Sequence, residues 1–222
     1  MDLRDEARYK CLIIDHDDTV VDSTSEINYP AFMAALKVLR PEVNYTFDEF
    51  MKLNFEVGFF NLMRDVLNFT EEEIAFQENV WREFMEYKIP AFYEGMGDLL
   101  RRFKMSGGRI CVSSHSSSEY IMRDYVANCG VIPDKVFGCE LDAEKRKPNP
   151  FAIDETIRKF GILPQEILVV DDLPTGYNMA KQRKIDFAYA GWGYYNAELL
   201  DFMCKNAKYV CTEVYELAAL LF

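Results

Sequence analysis

Clustered positive charge is scarce in this sequence. The longest basic run is Lys145-Arg146-Lys147, and 37 acidic against 25 basic side chains leave a net charge of −12. Nucleic-acid backbones are bound by clustered Lys and Arg that release counterions, so nucleic acid is excluded as an expected partner. No uncharged apolar stretch reaches the ~18 residues of a membrane span, and no membrane partner is expected either. Met1-Asp2-Leu3-Arg4-Asp5-Glu6 lacks the apolar segment of a signal peptide, so the expected location is cytoplasmic. The six cysteines, Cys11, Cys111, Cys129, Cys139, Cys204 and Cys211, include no Cys-x-x-Cys pair and no interleaved zinc-finger histidines. They read as reduced, buried, small apolar side chains. Internal repeats and low-complexity segments are also missing.

What is present is an alternation of short apolar runs and longer amphipathic segments. Strands are expected at Cys11 to Asp15, Arg109 to Ser113, Lys135 to Phe137, Ile167 to Asp171, Phe187 to Ala190 and Tyr209 to Cys211. Helices are expected at Met96 to Met105, Ser118 to Cys129, Phe151 to Phe160, Thr175 to Gln182 and Glu213 to Leu221. Cys11-Leu12-Ile13-Ile14 and Ile167-Leu168-Val169-Val170 are apolar on both faces, as parallel strands covered by helices on each side require. The fold class is therefore α/β, with a doubly wound parallel sheet.

Residues from about Thr24 to Phe92 interrupt this alternation with consecutive helices. Thr46 with Glu49, and Thr70 with Glu73, have capping-box spacing, flanked by Tyr45/Phe50 and Phe69/Ile74 at staple positions. Fifteen of the 32 aromatic residues fall between Tyr29 and Tyr93, enough to fill the core of a small bundle. The expected organisation is a core of residues 1–22 and 93–222, with a helical insert at 23–92.

Carboxylates gather at two expected strand ends. Asp15-His16-Asp17-Asp18-Thr19 follows the first strand, where alternation lets Asp15 and Asp17 point the same way. Asp171-Asp172 ends the run from Ile167, and the two strands can lie side by side. Converging carboxylates repel unless a cation intervenes, and oxygen donors without His or Cys suit Mg²⁺. Ser113-Ser114-His115-Ser116-Ser117-Ser118 opens a helix with hydroxyl and N–H donors suited to phosphate. Lys147 precedes Pro148-Asn149-Pro150, a stiffened loop that holds a lysine in place, with Asn149 and Pro150 fitting N-cap and N1 of the next helix. His16 and His115 read as structural or surface residues. Glu71-Glu72-Glu73 reads as a solvated helix start.

The order Asp-x-Asp-x-Thr, Ser, Lys-Pro-x-Pro, Asp-Asp resembles the haloacid dehalogenase-like phosphohydrolase superfamily across nearly the whole chain. Tyr93-Glu94-Gly95-Met96 looks like that family's return from cap to core, Ala190-Gly191-Trp192-Gly193-Tyr194 like its segment after the fifth strand, and Lys208-Tyr209-Val210 with Glu216-Leu217 like its ending. The helical insert is similar to the cap of the phosphoglycolate phosphatase and β-phosphoglucomutase branch. The resemblance implies a Rossmann-like core with an inserted helical cap and an Mg²⁺-dependent phosphatase acting on a small phosphorylated metabolite through an aspartyl-phosphate. By that resemblance Asp15 is the nucleophile and Asp17 the general acid and base. Ser113 binds phosphoryl oxygens, Lys147 offsets charge, and Asp171 ligates the metal with the Asp15 carboxylate and the Asp17 backbone carbonyl. Ser114, Phe59 and Asn61 are expected to contact substrate, and a monomer or weak dimer is expected.

The sequence also departs from the family's pattern. Asp18 stands where Gly is usual, Val170 stands where Gly commonly precedes the metal-binding Asp, and Thr175 stands where an acidic residue is common. Asp172 is then the expected replacement for that last carboxylate. A mutase of the β-phosphoglucomutase kind, or a non-catalytic metal-binding module, are the alternatives.

Overall fold

The computed structural model describes residues 6–194 and 196–222. They form two compact units, one from the N-terminal segment up to Asp22 together with Ala91–Phe222, the other Ser23–Pro90.

The first unit is a six-stranded parallel sheet in the order β3-β2-β1-β4-β5-β6. The strands are β1 (Cys11–Ile14), β2 (Arg109–Ser113), β3 (Lys135–Phe137), β4 (Ile167–Asp171), β5 (Asp186–Ala190) and β6 (Tyr209–Cys211). Every residue of β1 and β4 is buried, as their uninterrupted apolar runs demand. On one face Leu12, Ile14, Val112, Leu168 and Val170 pack with Leu99, Phe103, Ile121, Tyr125 and Leu217 from three helices. Burying each such side chain contributes roughly 1.5–3 kcal/mol. The chain order reverses about β1, so the carboxyl ends of β1 and β4 border the crevice where such sheets bind ligands.

The sequence-predicted strands all form, with two shifts: β1 ends at Ile14 rather than Asp15, and β5 begins at Asp186. Ten α-helices among the described residues are numbered in chain order, four in the second unit and six in the first. Those of the first unit are α5 (Met96–Met105), α6 (Ser118–Cys129), α7 (Phe151–Phe160), α8 (Pro174–Lys181), α9 (Ala197–Asn206) and α10 (Val214–Leu221). The sequence reading omits α9, although Asn196 caps it by accepting the Leu199 N–H at 2.9 Å and Leu199 and Met203 are buried four apart. At α7 the cap differs by one residue. Pro150 is the N-cap, while the Asn149 side chain accepts the Phe151 N–H at 2.9 Å. The cysteine expectation also needs correction, since Cys204 is exposed and Cys139 half-buried, although all six are free.

The second unit contains a five-residue π-turn (Thr24–Asn28) leading into α1 (Tyr29–Leu39), then α2 (Phe47–Glu56), α3 (Phe59–Asn61) and α4 (Glu71–Tyr87). Both expected capping boxes form, at Thr46/Glu49 and Thr70/Glu73. Phe32, Phe50 and Phe59 meet as a ring cluster with centroids 5.1–6.3 Å apart. Arg40 grips Glu73 with two bonds of 2.7 and 3.0 Å. The unit ends at Pro90, two residues before the expected junction at Phe92. The next residue, Ala91, accepts the Asp22 N–H at 3.0 Å, and Phe92 bridges Val21 in the sheet-bearing unit. No helix among the described residues is long and apolar enough to cross a membrane.

Candidate active site

Strand register assembles the site. Ile14 pairs with Val112 on one side and Val170 on the other, so the next residues, Asp15, Ser113 and Asp171, lie level at the carboxyl edge of three adjacent strands. The Asp15 N–H donates to the Val170 carbonyl at 2.9 Å, which carries the pairing one step past the strand. Lys147 enters from the loop before α7 and is buried between two of these groups. Its Nζ lies 2.9 Å from Asp15 Oδ1 and 2.5 Å from Asp171 Oδ2.

Carboxylates outnumber the cation they surround. Oxygens of Asp15, Asp171 and Asp172 all lie within 4.8 Å of one another. Burial pushes the Asp15 carboxyl up to about 6; Lys147 opposes the rise, and Asp171 and Asp17 add to it. Asp172 is raised well above the usual carboxylate range, first by burial and then by Asp171 and Asp15. For Lys147, burial works against the charged form, but the two neighbouring carboxylates outweigh it and raise its pKa. Two buried carboxylates, Asp15 and Asp171, the half-buried Asp172 and one ammonium leave a negative surplus, and an all-oxygen donor set fits a hard divalent cation.

The Asp17 carboxylate turns to the serine-rich turn instead of the metal-fitting cluster. Its Oδ2 accepts from Ser114 Oγ at 3.1 Å and from Ser116 Oγ at 2.6 Å. The sequence does not single out Ser116, because five serines among six residues leave the choice open. Ser117 is the N-cap of α6, accepting the Glu119 N–H at 3.3 Å, and Ser113 is buried at the end of β2. Asp18 has φ +54°, so the backbone does take the left-handed conformation that favours glycine, and Asp is one of the few other residues that tolerate it. Asp172 Oδ1 accepts from Thr19 Oγ1 at 3.2 Å, which ties the two acidic strand ends together. In α8, Gly176 is obligatory for a different reason. A Cβ there would lie 2.3 Å from the carboxyl carbon of Asp171.

A model of the family described as haloacid dehalogenase-like hydrolase matches residues 12–190, from β1 through β5. The chain belongs to this family. Its fold is shared with many solved structures. A predicted phosphoglycolate phosphatase from Haemophilus somnus 129PT superposes with a TM-score of 0.80 at 18% identity, covering 96% of this chain and 98% of that one. CbbY from Rhodobacter sphaeroides in complex with phosphate gives 0.72 at 19% identity, covering 94% and 96%. A mutant of CbbY in complex with xylulose-(1,5)bisphosphate gives 0.72 at 18% identity over the same shares. At these identities the likeness establishes the fold. No curated protein matches the sequence.

Within this hydrolase fold the remaining expected residues are placed as follows. Phe59 is half-buried in the ring cluster of the helical unit. Asn61 is exposed, and its Nδ2 donates to the Val57 carbonyl at 2.8 Å. His115 is exposed on the serine turn, whereas His16 is fully buried and bonded to Asp124. Neither Asp124 nor its link to His16 is visible in the sequence, because the partners stand 108 residues apart.

Proposed function

We propose that this hydrolase is a phosphomonoesterase acting on a small phosphorylated metabolite. The observation that carries the reading is the level placement of Asp15, Ser113 and Asp171 at adjacent strand ends, with Lys147 2.9 Å from Asp15. Asp15 attacks phosphorus, forming an Asp15–O–P bond as the bond to the leaving oxygen breaks. Asp17 gives that oxygen its proton, then takes one from the water that cleaves the acyl phosphate and releases inorganic phosphate. Ser113 offers a hydroxyl donor to the phosphoryl oxygens, Ser114 does the same once its hydroxyl turns from Asp17 to the bound group, and Lys147 offsets the charge that gathers on them. Asp15, Asp171, Asp172 and the Asp17 carbonyl would hold Mg²⁺, which supplies charge neutralisation for an anionic nucleophile meeting an anionic substrate.

Ser23–Pro90 acts in this reading as a cap that selects the substrate, with Phe59 and Asn61 as contacts. The phosphate and xylulose-(1,5)bisphosphate held by CbbY and its mutant support a phosphorylated ligand. Six free thiols support a reducing, cytoplasmic setting.

The test is inorganic phosphate release from a panel of phosphorylated metabolites, with Mg²⁺ or EDTA. Release that requires both Mg²⁺ and Asp15 is the expected result. Isomerised product with a sugar bisphosphate and no phosphate release would assign a mutase, and neither product would assign a binding module.

A further inference from the structure

His16 lies between the two aspartates of the strand end, and alternation directs its side chain away from both. It continues the face of Leu12 and Ile14, the face covered by α5, α6 and α10, so it meets α6 inside the protein. There the imidazole is 1% exposed, and its Nε2 lies 3.1 Å from Oδ2 of Asp124, which is 0% exposed. The other oxygen, Asp124 Oδ1, accepts from Arg123 Nε at 2.9 Å and lies 2.8 Å from its Nη2. The imidazole also stacks on Tyr125, with centroids 5.9 Å apart and planes 26° apart.

Two further facts give the pair a role besides filling space. The His16 carbonyl accepts the N–H groups of Val20 and Val21, at 2.8 and 3.1 Å, so it organises the turn that follows Asp17. The same helix, α6, begins in the serine turn whose Ser114 and Ser116 hydroxyls hold the Asp17 carboxylate. One helix therefore grips the strand end twice, at the side chain of Asp17 and, through Asp124, at His16.

We infer that His16 and Asp124 are positioning residues that fix the Asp15–Asp17 backbone through a directional buried hydrogen bond. The inference deepens the phosphatase reading and rests on it for its catalytic consequence. An apolar pair of similar volume would fill the space without fixing direction, and misplacement of reacting groups by about 1 Å costs on the order of a hundredfold in rate. Replacing both buried partners by apolar groups can leave stability intact, whereas removing one leaves the other unsatisfied. Stability and rate therefore separate in the double variant.

The experiment compares wild type, Asp124→Asn, Asp124→Leu and His16→Leu/Asp124→Leu. It measures melting temperature, kcat and KM for p-nitrophenyl phosphate with Mg²⁺, and hydrogen exchange of the Val20 and Val21 amides. The single Leu variant should melt lower and the double variant should recover the part of that loss due to an unsatisfied His16, both sharing the loss of the Arg123–Asp124 contact. Both should keep a kcat about 10- to 100-fold below wild type with KM nearly unchanged, and both should exchange the two amides at least about tenfold faster. Asp124→Asn, which preserves shape, should show the same changes in smaller degree and covers the case in which the Leu variants fail to fold. A double variant with wild-type kcat and wild-type exchange would overturn the proposal. Wild-type protein that releases no phosphate would instead sink the phosphatase reading, and the exchange rates alone would then decide whether the pair anchors the turn.

Discussion

The two units of this chain solve different problems with different side chains. In the sheet-bearing unit, charged groups are buried at positions that strand register dictates: Asp15 and Asp171 level on neighbouring strands, with Lys147 between them. In the helical unit the buried centre is made of rings and aliphatics such as Phe32, Phe50, Leu36 and Ile27, while ion pairs such as Arg40–Glu73 sit nearer the surface. Register tolerates no slip, because a shift of one residue turns every side chain to the opposite face. A packed bundle tolerates exchanges of similar volume. Under the proposed function, fixed chemistry falls to the sheet and adjustable selection to the bundle.

If that contrast is right, Asp15→Asn should have the largest effect, lowering phosphate release by at least about a thousandfold. The same variant should unfold at a higher temperature in EDTA at pH 7. The folded-state pKa of Asp15, about 6, lies above its unfolded value of 3.8, so the ionised group opposes folding. The gain should be complete above about pH 6 and absent below about pH 4. A thermal series in EDTA from pH 3.5 to 8 checks both ends.

Gly176→Ala should follow, since its new methyl must displace the Asp171 carboxyl. A stability loss of about 1–3 kcal/mol with a large loss of phosphate release is expected, and calorimetry with kinetics measures both. Asp134 offers a charge in the same unit but far in function from the site. Its carboxylate accepts from Lys104 at 2.6 Å, Arg109 at 2.8 Å and the Ile110 N–H at 2.8 Å. Burial opposes its ionisation, yet these donors hold its pKa below the usual carboxylate value. Asp134→Asn should cost about 1–3 kcal/mol at pH 7 with kcat unchanged. The stabilisation is present above the unfolded pKa of 3.8 and is lost as pH falls through the lower folded value, so wild type and variant should converge in acid.

Substitutions in the helical unit should act more gently on chemistry. Phe59→Ala should reorder the preferred substrates while changing turnover of p-nitrophenyl phosphate less, and an equal loss on every ester would confine Phe59 to packing. Thr70→Ala removes a cap and should cost about 1 kcal/mol by denaturant unfolding, with substrate order intact.

How much of this was readable beforehand follows the same division. β1 and β4 announce themselves as apolar runs ending in Asp, and the capping boxes at Thr46 and Thr70 carry their own signals. These are local patterns, and local patterns survive without a structure. α9 escaped because its buried stripe is only Leu199 and Met203 and its cap, Asn196, follows a glycine-containing loop. The choice of Ser116 as the second hydroxyl on Asp17 depends on how the turn folds back, which spacing does not encode. The His16–Asp124 bond joins β1's end to the middle of α6, and a single sequence gives no sign of such a pairing. Asp18 is the instructive intermediate case. Its departure from the Gly of the family pattern was legible, and its positive φ lies in the region that glycine enters most easily, a feature the sequence does not reveal.

The central claim is that Asp15 takes the phosphoryl group and Asp17 manages the protons. Mass spectrometry of Asp17→Asn, quenched in acid after incubation with substrate and Mg²⁺, tests it most directly. A phosphoryl increment on the peptide bearing Asp15, missing when Asp15 is also changed to Asn, is the predicted result. An increment on any other residue, or turnover of substrate with no adduct at Asp15, would contradict it.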